Sequence, residues 1–266
     1  MKKEKILINI EKLSDIEKYE KIGINNFLFA VNNYSIGYKS FELEELENLK
    51  CKKYLLMNKV LNNTDIDKLK ELTTKLEKFD GLIFEDIGLY NILKDYNIKL
   101  IWNQSHFATN YKSINYYLEL TYSAVISNEL TYNEINEIIN KVNKPVILNV
   151  FGKNPVMYSR RTLLTNFNKY FNIEENKEVI LDETISKNKF YAKEDSNGTF
   201  IFNNTYFNII NYLKELNHNN ILFYLIYPNE LDYDNIIKVI DNESDIPYND
   251  GFMNKKTIYK LGDKKW

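Results

Sequence analysis

The sequence predicts an α/β fold of the TIM type, a closed (β/α)₈ barrel with a β-hairpin and helix segment inserted after the seventh strand. Two observations carry that prediction. Eight short runs rich in Ile, Val, Leu, Phe and Tyr recur along the 266 residues, and most are separated by segments with helical spacing of apolar residues. The runs are nearly continuous in apolar residues rather than alternating, the pattern of a parallel sheet covered on both faces by crossover helices. A doubly wound open sheet is the runner-up. No G-x-G-x-x-G or G-K-[ST] loop follows any strand, so a nucleotide-phosphate cradle has no support.

The elements follow in order. KILINI (5–10) is the first strand and leads into LSDIEKYEKIG, where Ser14 and Glu17 have the spacing of a reciprocal helix cap. NNFLFAV (25–31) precedes FELEELENLK. KKYLLMNKV (52–60) leads into a helix that Thr64 and Asp67 would cap, and GLIFED (81–86) into LYNILKDY. KLIWNQ (99–104) is followed by NYKSINYYLEL, and YSAVISN (122–128) by a helix with Thr131 and Glu134 as its cap. KPVILNVFG (144–152) is the seventh strand. The rhythm then breaks until ILFYLIYP (221–228) and NELDYDNIIKVI restore it. The interruption, 153–220, contains VILDE, KFYAKEDSNGTFIF and the helical NIINYLKELN; Asn197-Gly198 favours a tight turn and marks a β-hairpin. The expected organisation is a single barrel domain over 1–266, with 153–220 an insertion on its rim.

Composition narrows the function classes. A formal charge of −2 lacks the basic excess of a protein that holds nucleic acid mainly through phosphates, although a local patch is compatible with RNA. MKKEKILINIEKL is too short in apolar residues for a signal peptide and no run can span a bilayer, so the expectation is a cytoplasmic protein without membrane contact. Cys51 is the single cysteine, which leaves no internal disulfide and no cysteine cluster for zinc or iron–sulfur.

Reactive groups of such barrels lie at the C-terminal strand ends and in the loops that follow. Asn58 and Lys59, Glu85 and Asp86, Asn103, Gln104 and His106, Asn128 and Glu129, and Arg160 with Arg161 all fall there. Glu129, Glu85 and His106 are the acid–base candidates. Two close carboxylates push one pKa upward, and because neighbours on a strand point to opposite faces only one of Glu85 and Asp86 is expected to face a pocket. The structural alternatives are helix N-terminal charge for the Glu85–Asp86 pair, a satisfied loop residue for His106, and capping for Glu129. Among 35 basic residues Arg160 and Arg161 are the only arginines and stand side by side in MYSRRTLLTN. Arginine grips carboxylate or phosphate with a planar fork that lysine lacks, so the pair suggests an anionic ligand; an incidental surface charge is the alternative. No Ser/His/Asp order and no H-E-x-x-H spacing is present.

VFGKNPVMYSRRTLLTNF (150–167) resembles the signature region of the collagenase-like peptidases, peptidase family U32. GINNFLFAVNNYSIGY (23–38), LLMNKVLNNTDIDKL (55–69), GLIFEDIGLYNILK (81–94), LIWNQSHFATNYKSINYY (100–117) and AVISNELTYNEI (124–135) resemble its strands two to six, and DGFMNKKTIYKLG (250–262) the tail of its small members. The resemblance implies a barrel and peptidase-like hydrolysis of a peptide or peptide-like substrate. It also implies two other classes: a non-hydrolytic RNA modification factor that binds a carboxylate-bearing small molecule, and a binding protein without activity. Some relatives are linked to hydroxylation of RNA bases or quinone precursors and hold an iron–sulfur cluster near this signature. Thr162 stands where those relatives place a cysteine and Phe151 where many have histidine, so no cluster and no other cofactor is expected here, with metal use left open. By position Tyr158, Ser159 and Arg161 match the signature, Asn103 and Asn110 the fifth block, and Glu129 the family's Glu-Leu. With Asn58, Arg160, Arg161, Tyr158, Asn103 and Asn110 are the expected substrate contacts.

Overall fold

A computed structural model describes residues 1–104, 106–185 and 187–255. Eight parallel strands form the barrel: β1 (Ile6–Asn9), β2 (Asn26–Val31), β3 (Lys52–Met57), β4 (Gly81–Phe84), β5 (Leu100–Asn103), β6 (Ser123–Ile126), β7 (Val146–Gly152) and β8 (Ile221–Ile226). Each pairs with the next, and β8 pairs with both β7 (Ile221 opposite Val146) and β1 (Tyr224 opposite Ile6), which closes the ring. Of the family-like tail at 250–262, residues 256–262 lie outside the described residues.

The near-continuous apolar strands are explained by two separate cores. Alternation sends Leu28, Leu56, Ile83, Ile101, Ile147 and Leu225 into the barrel lumen. The intervening Phe27, Leu55, Leu82, Phe84, Ala124 and Leu148 face outward against the helices. Both sets are almost wholly buried, and each large side chain contributes about 1.5–3 kcal/mol through its lost water contact. The covering helices are α1 (Ile16–Lys21), α2 (Leu43–Glu47), α3 (Asn63–Leu76), α4 (Ile87–Leu93), α5 (Tyr111–Leu120) and α6 (Tyr132–Lys141); α7 (Leu163–Phe171) belongs to the insertion and α8 (Tyr233–Ile240) follows β8. Among the described residues no helix is long and apolar enough to cross a membrane.

The caps correct two sequence expectations. Thr131 and Glu134 do cap α6 reciprocally, with Thr131 N donating to Glu134 Oε2 at 2.8 Å and Glu134 N to Thr131 Oγ1 at 3.3 Å. At α3, however, the cap is Asn62 with Asp65 rather than Thr64 with Asp67: Asp65 N donates to Asn62 Oδ1 at 2.9 Å. Asparagine is the stronger cap, and Asp65 also pairs with Lys59 at 3.1 Å, which fixes the earlier start. At α1 the Ser14–Glu17 cap is absent, because Leu13–Asp15 forms a 3₁₀ turn that runs straight into the helix and Asp15 pairs with Lys18 at 2.7 Å.

The insertion is larger than a hairpin. It is a four-stranded antiparallel sheet in the order Glu178–Asp182, Lys189–Asp195, Gly198–Asn203, Pro155–Ser159, with α7 beside it. Asn197-Gly198 makes its central turn, with Asp195 opposite Gly198 and Gly198 at φ +131. The expected helix at NIINYLKELN is a six-residue 3₁₀ segment, Ile210–Glu215. Its start is set by Asn208, which pairs with the end of β7 while its side chain accepts the Ile210 N–H at 3.0 Å. Phe200 and Phe202 pack on Ile36, and Asn197 Nδ2 donates to Ser35 O at 3.0 Å, so the sheet is seated on the loop after β2 at the C-terminal end of the barrel.

Candidate functional site

The lumen alternation continues past the last apolar layer and decides which polar residues enter the mouth. Two positions after Leu56, Ile83, Ile101 and Ile147 stand Asn58, Glu85, Asn103 and Asn149, and all four line one cavity of about 40 Å³. Tyr38, Tyr227, Phe200 and Pro155 also line it, the last two from the inserted sheet. That space holds about two or three waters, or the edge of a larger group.

Among the described residues that line the cavity, Glu85 is the one carboxylate, and no lysine or arginine accompanies it. Its Oε1 accepts a hydrogen bond from Asn103 Nδ2 at 3.0 Å, and Gln104 Nε2 donates to its backbone carbonyl at 2.9 Å. Burial without a compensating cation pushes the Glu85 carboxyl up to about 8. Although its surface still touches the cavity, protein closes round it on the other sides. Asp86, pointing the other way, caps α4 through Gly88 N at 2.8 Å and accepts from Leu61 N at 2.8 Å. The adjacent acids therefore divide into a mouth carboxyl and a helix cap.

The amides around Glu85 differ in freedom. Asn58 is spent on the loop after β2, accepting from Ile36 N at 3.0 Å and donating to Ile36 O at 3.1 Å. Asn149 is 6% exposed and its Oδ1 has no hydrogen-bond partner among the described residues. Asn128 donates to Asn154 Oδ1 at 2.8 Å while its own Oδ1 is likewise unpartnered. Buried amide oxygens without partners are uncommon, and among the described residues two belong to side chains that line this one cavity. Tyr38 stacks on Tyr227 with ring centroids 4.7 Å apart, and burial raises the pKa of both phenols.

The other sequence candidates stand elsewhere on the same end. His106 Nδ1 and Glu129 Oε1 approach to 3.2 Å on the rim, each more than half exposed. Asn110 caps α5, accepting from Ser113 N at 3.0 Å. Tyr158 donates to Asn197 O at 3.3 Å, lies 6.0 Å from the Phe200 ring, and is pushed up to about 12 by burial. Arg160 and Arg161 are exposed at the junction of Pro155–Ser159 and α7. None of these six lines the mouth cavity. Asn149, Tyr38 and Tyr227 were not singled out from sequence; Asn149 is legible in hindsight as a polar residue inside the apolar run VILNV, in step with the inward-facing Ile147.

A cysteine-held cluster does not fit this chain. Thr162 stands at the head of α7, and Cys51 precedes β3, at the barrel end opposite the mouth, with burial pushing its thiol up to about 11. Among the described residues no three His, Cys, Asp or Glu side chains group as metal ligands.

A family model described as peptidase family U32 matches residues 23–226. The tRNA hydroxylation protein P2 of Bacillus subtilis (strain 168) is 26% identical over 238 residues, spanning 81% of this chain and 76% of that protein. Among solved structures, a chitinase from Chromobacterium violaceum ATCC 12472 shares 8% identity and a TM-score of 0.44, over 90% of this chain and 98% of that one. The Bacillus cereus spore cortex-lytic enzyme SleL shares 11% identity and a TM-score of 0.42, over 92% and 75%. Neither structural likeness bears on the site.

Proposed function

The chain belongs to peptidase family U32, and we propose that it works in RNA modification, its barrel mouth taking the polar edge of a nucleobase beside Glu85. The observation that carries this reading is the pairing of a carboxyl raised to about 8 with the unpartnered amide oxygens of Asn149 and Asn128 at one small cavity. At neutral pH such a carboxyl is mostly protonated, so it donates one hydrogen bond and accepts another, while the amide oxygens accept. That mixture matches the Watson–Crick edge of a base turned out of its stack, which enzymes acting on bases read in this way. The name of the Bacillus subtilis relative, a tRNA hydroxylation protein, supports the same class. On the rim, the exposed Arg160 and Arg161 can meet phosphates, and the exposed Phe167 and Tyr170 of α7 offer rings for stacking, which supplies a local footprint that the net charge of −2 does not exclude.

Hydrolysis of a peptide-like substrate is the second reading, favoured by the same Glu85, because a carboxyl titrating near neutrality and oriented by Asn103 suits a general base. Nucleoside mass spectrometry of tRNA from a strain lacking this protein separates the two. The expected result is loss of one hydroxylated nucleoside, restored by the wild-type chain and not by Glu85→Leu. An unchanged nucleoside profile contradicts the RNA reading, and cleavage of denatured collagen or a peptide library that Glu85→Leu abolishes establishes the second.

A further inference from the structure

A second chamber, of about 390 Å³, lies between the barrel rim and the inserted sheet and shares no lining residue with the mouth cavity. Its volume is in the range of small-ligand sites. Tyr38 divides the two spaces: its ring stacks on Tyr227 and meets Phe202 edge-on at 5.7 Å, while its neighbours Gly37 and Lys39 line the chamber. Four lysines converge from four parts of the chain, Lys12 after β1, Lys39 after β2, Lys153 after β7 and Lys193 on the inserted sheet. Among the described lining residues Glu11 and Glu230 are the acidic members, a formal excess of two positive charges, of which the one on Lys193 is met by Glu178 from outside the lining.

Lys153 is the informative member. It is 8% exposed, yet its ammonium makes no hydrogen bond to any described residue. The approaching carboxylate, Glu230, is 3.7 Å away, and the remaining neighbours are the ring faces of Tyr191 at 4.8 Å and Tyr206 at 5.4 Å. An ammonium has three donors, and burying them unmet is costly unless an acceptor is supplied. The position is held firmly from behind: Lys153 N donates to Asn229 Oδ1 at 2.7 Å, Tyr206 Oη donates to Asn229 O at 2.7 Å, and Glu230 N donates to the Glu11 carboxylate at 3.0 Å. Lys193 is anchored to Glu178 at 3.3 Å, whereas Lys12 and Lys39 are exposed at the entrance with no ion pair among the described residues. Burial pushes the Glu11 carboxyl above its ordinary value.

We propose that this chamber binds the phosphate monoester of a small molecule, with Lys153 as the buried anchor and Lys12 and Lys39 at the mouth. The excess of lysine in the lining suits an anion, and ammonium groups converging from different directions suit a tetrahedral oxyanion better than a flat one. The inference stands independently of what the barrel mouth does. The test is calorimetric titration of the full-length protein at low ionic strength with inorganic phosphate, glycerol 3-phosphate and succinate. Both phosphates are expected to bind more tightly than succinate, and Lys153→Met to weaken them about tenfold or more, as loss of a charge-assisted hydrogen bond requires. Substitution of Lys68, exposed on α3 away from the chamber, to Met is expected to leave the affinity unchanged. Equal binding by Lys153→Met, preference for succinate, absence of phosphate binding, or an equal loss in Lys68→Met overturns the proposal. Should Lys153→Met not fold, Lys39→Met, on an exposed loop, is expected to weaken phosphate binding measurably, and no change there overturns it equally.

Discussion

Glu85→Gln is expected to flatten the pH dependence of stability. The Glu85 carboxyl titrates at about 8 in the folded chain against an ordinary value of 4.5. Between those values the folded state keeps a proton that the unfolded state has released. The stability this confers is fully present below pH 4.5 and is lost as pH rises through 8. At 1.36 kcal/mol per pKa unit the loss is on the order of 4 kcal/mol, most of it accumulated by pH 9. Urea unfolding of both proteins at pH 5 and pH 9 isolates the effect, because every other titrating group is common to the pair. The wild type should lose about 4 kcal/mol more than Glu85→Gln between the two conditions. Parallel pH profiles would mean that the carboxyl is solvated and ionised, and the reading of the mouth would go with it.

Gly198→Ala is the second large effect, and it acts on the roof of the cavity. Gly198 has φ +131, and an added Cβ would stand 2.1 Å from the backbone oxygen of Ser159 and 2.9 Å from Arg160 Cα. Both obstacles are backbone, so no side-chain rotation relieves them. The clash falls where Thr199 pairs with Ser159, the junction joining the hairpin to the strand that supplies Pro155, while Phe200 lies one residue further on. A cost of about 3 kcal/mol or more is expected from the strained backbone and the broken pairing together. A lowered urea midpoint together with loss of any activity that depends on Glu85 is the expected pair of results. A midpoint equal to wild type would show that the turn relaxes without opening the junction.

Much of the fold was legible because each barrel strand is apolar on both sides, one side for the lumen and one for the helices, as at Leu28 between Phe27 and Phe29. The same parity says that only one of Glu85 and Asp86 faces the pocket, and the inward position of Ile83 in the structure shows that it is Glu85. The caps were legible only in part: spacing picked out Thr131 and Glu134, but at α3 it could not weigh Asn62 against Thr64, a choice settled by the Lys59 pair. For the site, spacing along the chain says which residues reach the C-terminal end and not which share a cavity. Glu129 and His106 meet each other on the rim, Arg160 and Arg161 stand between the inserted sheet and α7, and Glu85, Asn103 and Asn58 meet in the mouth. The chamber around Lys153 was invisible because its walls come from loops after β1, β2, β7 and β8 and from the insertion, whose seating on the barrel no local pattern encodes.

The titration of Glu85 itself bears most directly on the mouth as a site built round a neutral carboxyl. Carbon-detected NMR of the protein labelled with ¹³C at glutamate carboxyls, compared with Glu85→Gln to assign the resonance, follows that single group. The expected result is one carboxyl signal, absent from the variant, with its midpoint near 8. A midpoint near 4.5 for that signal would contradict it.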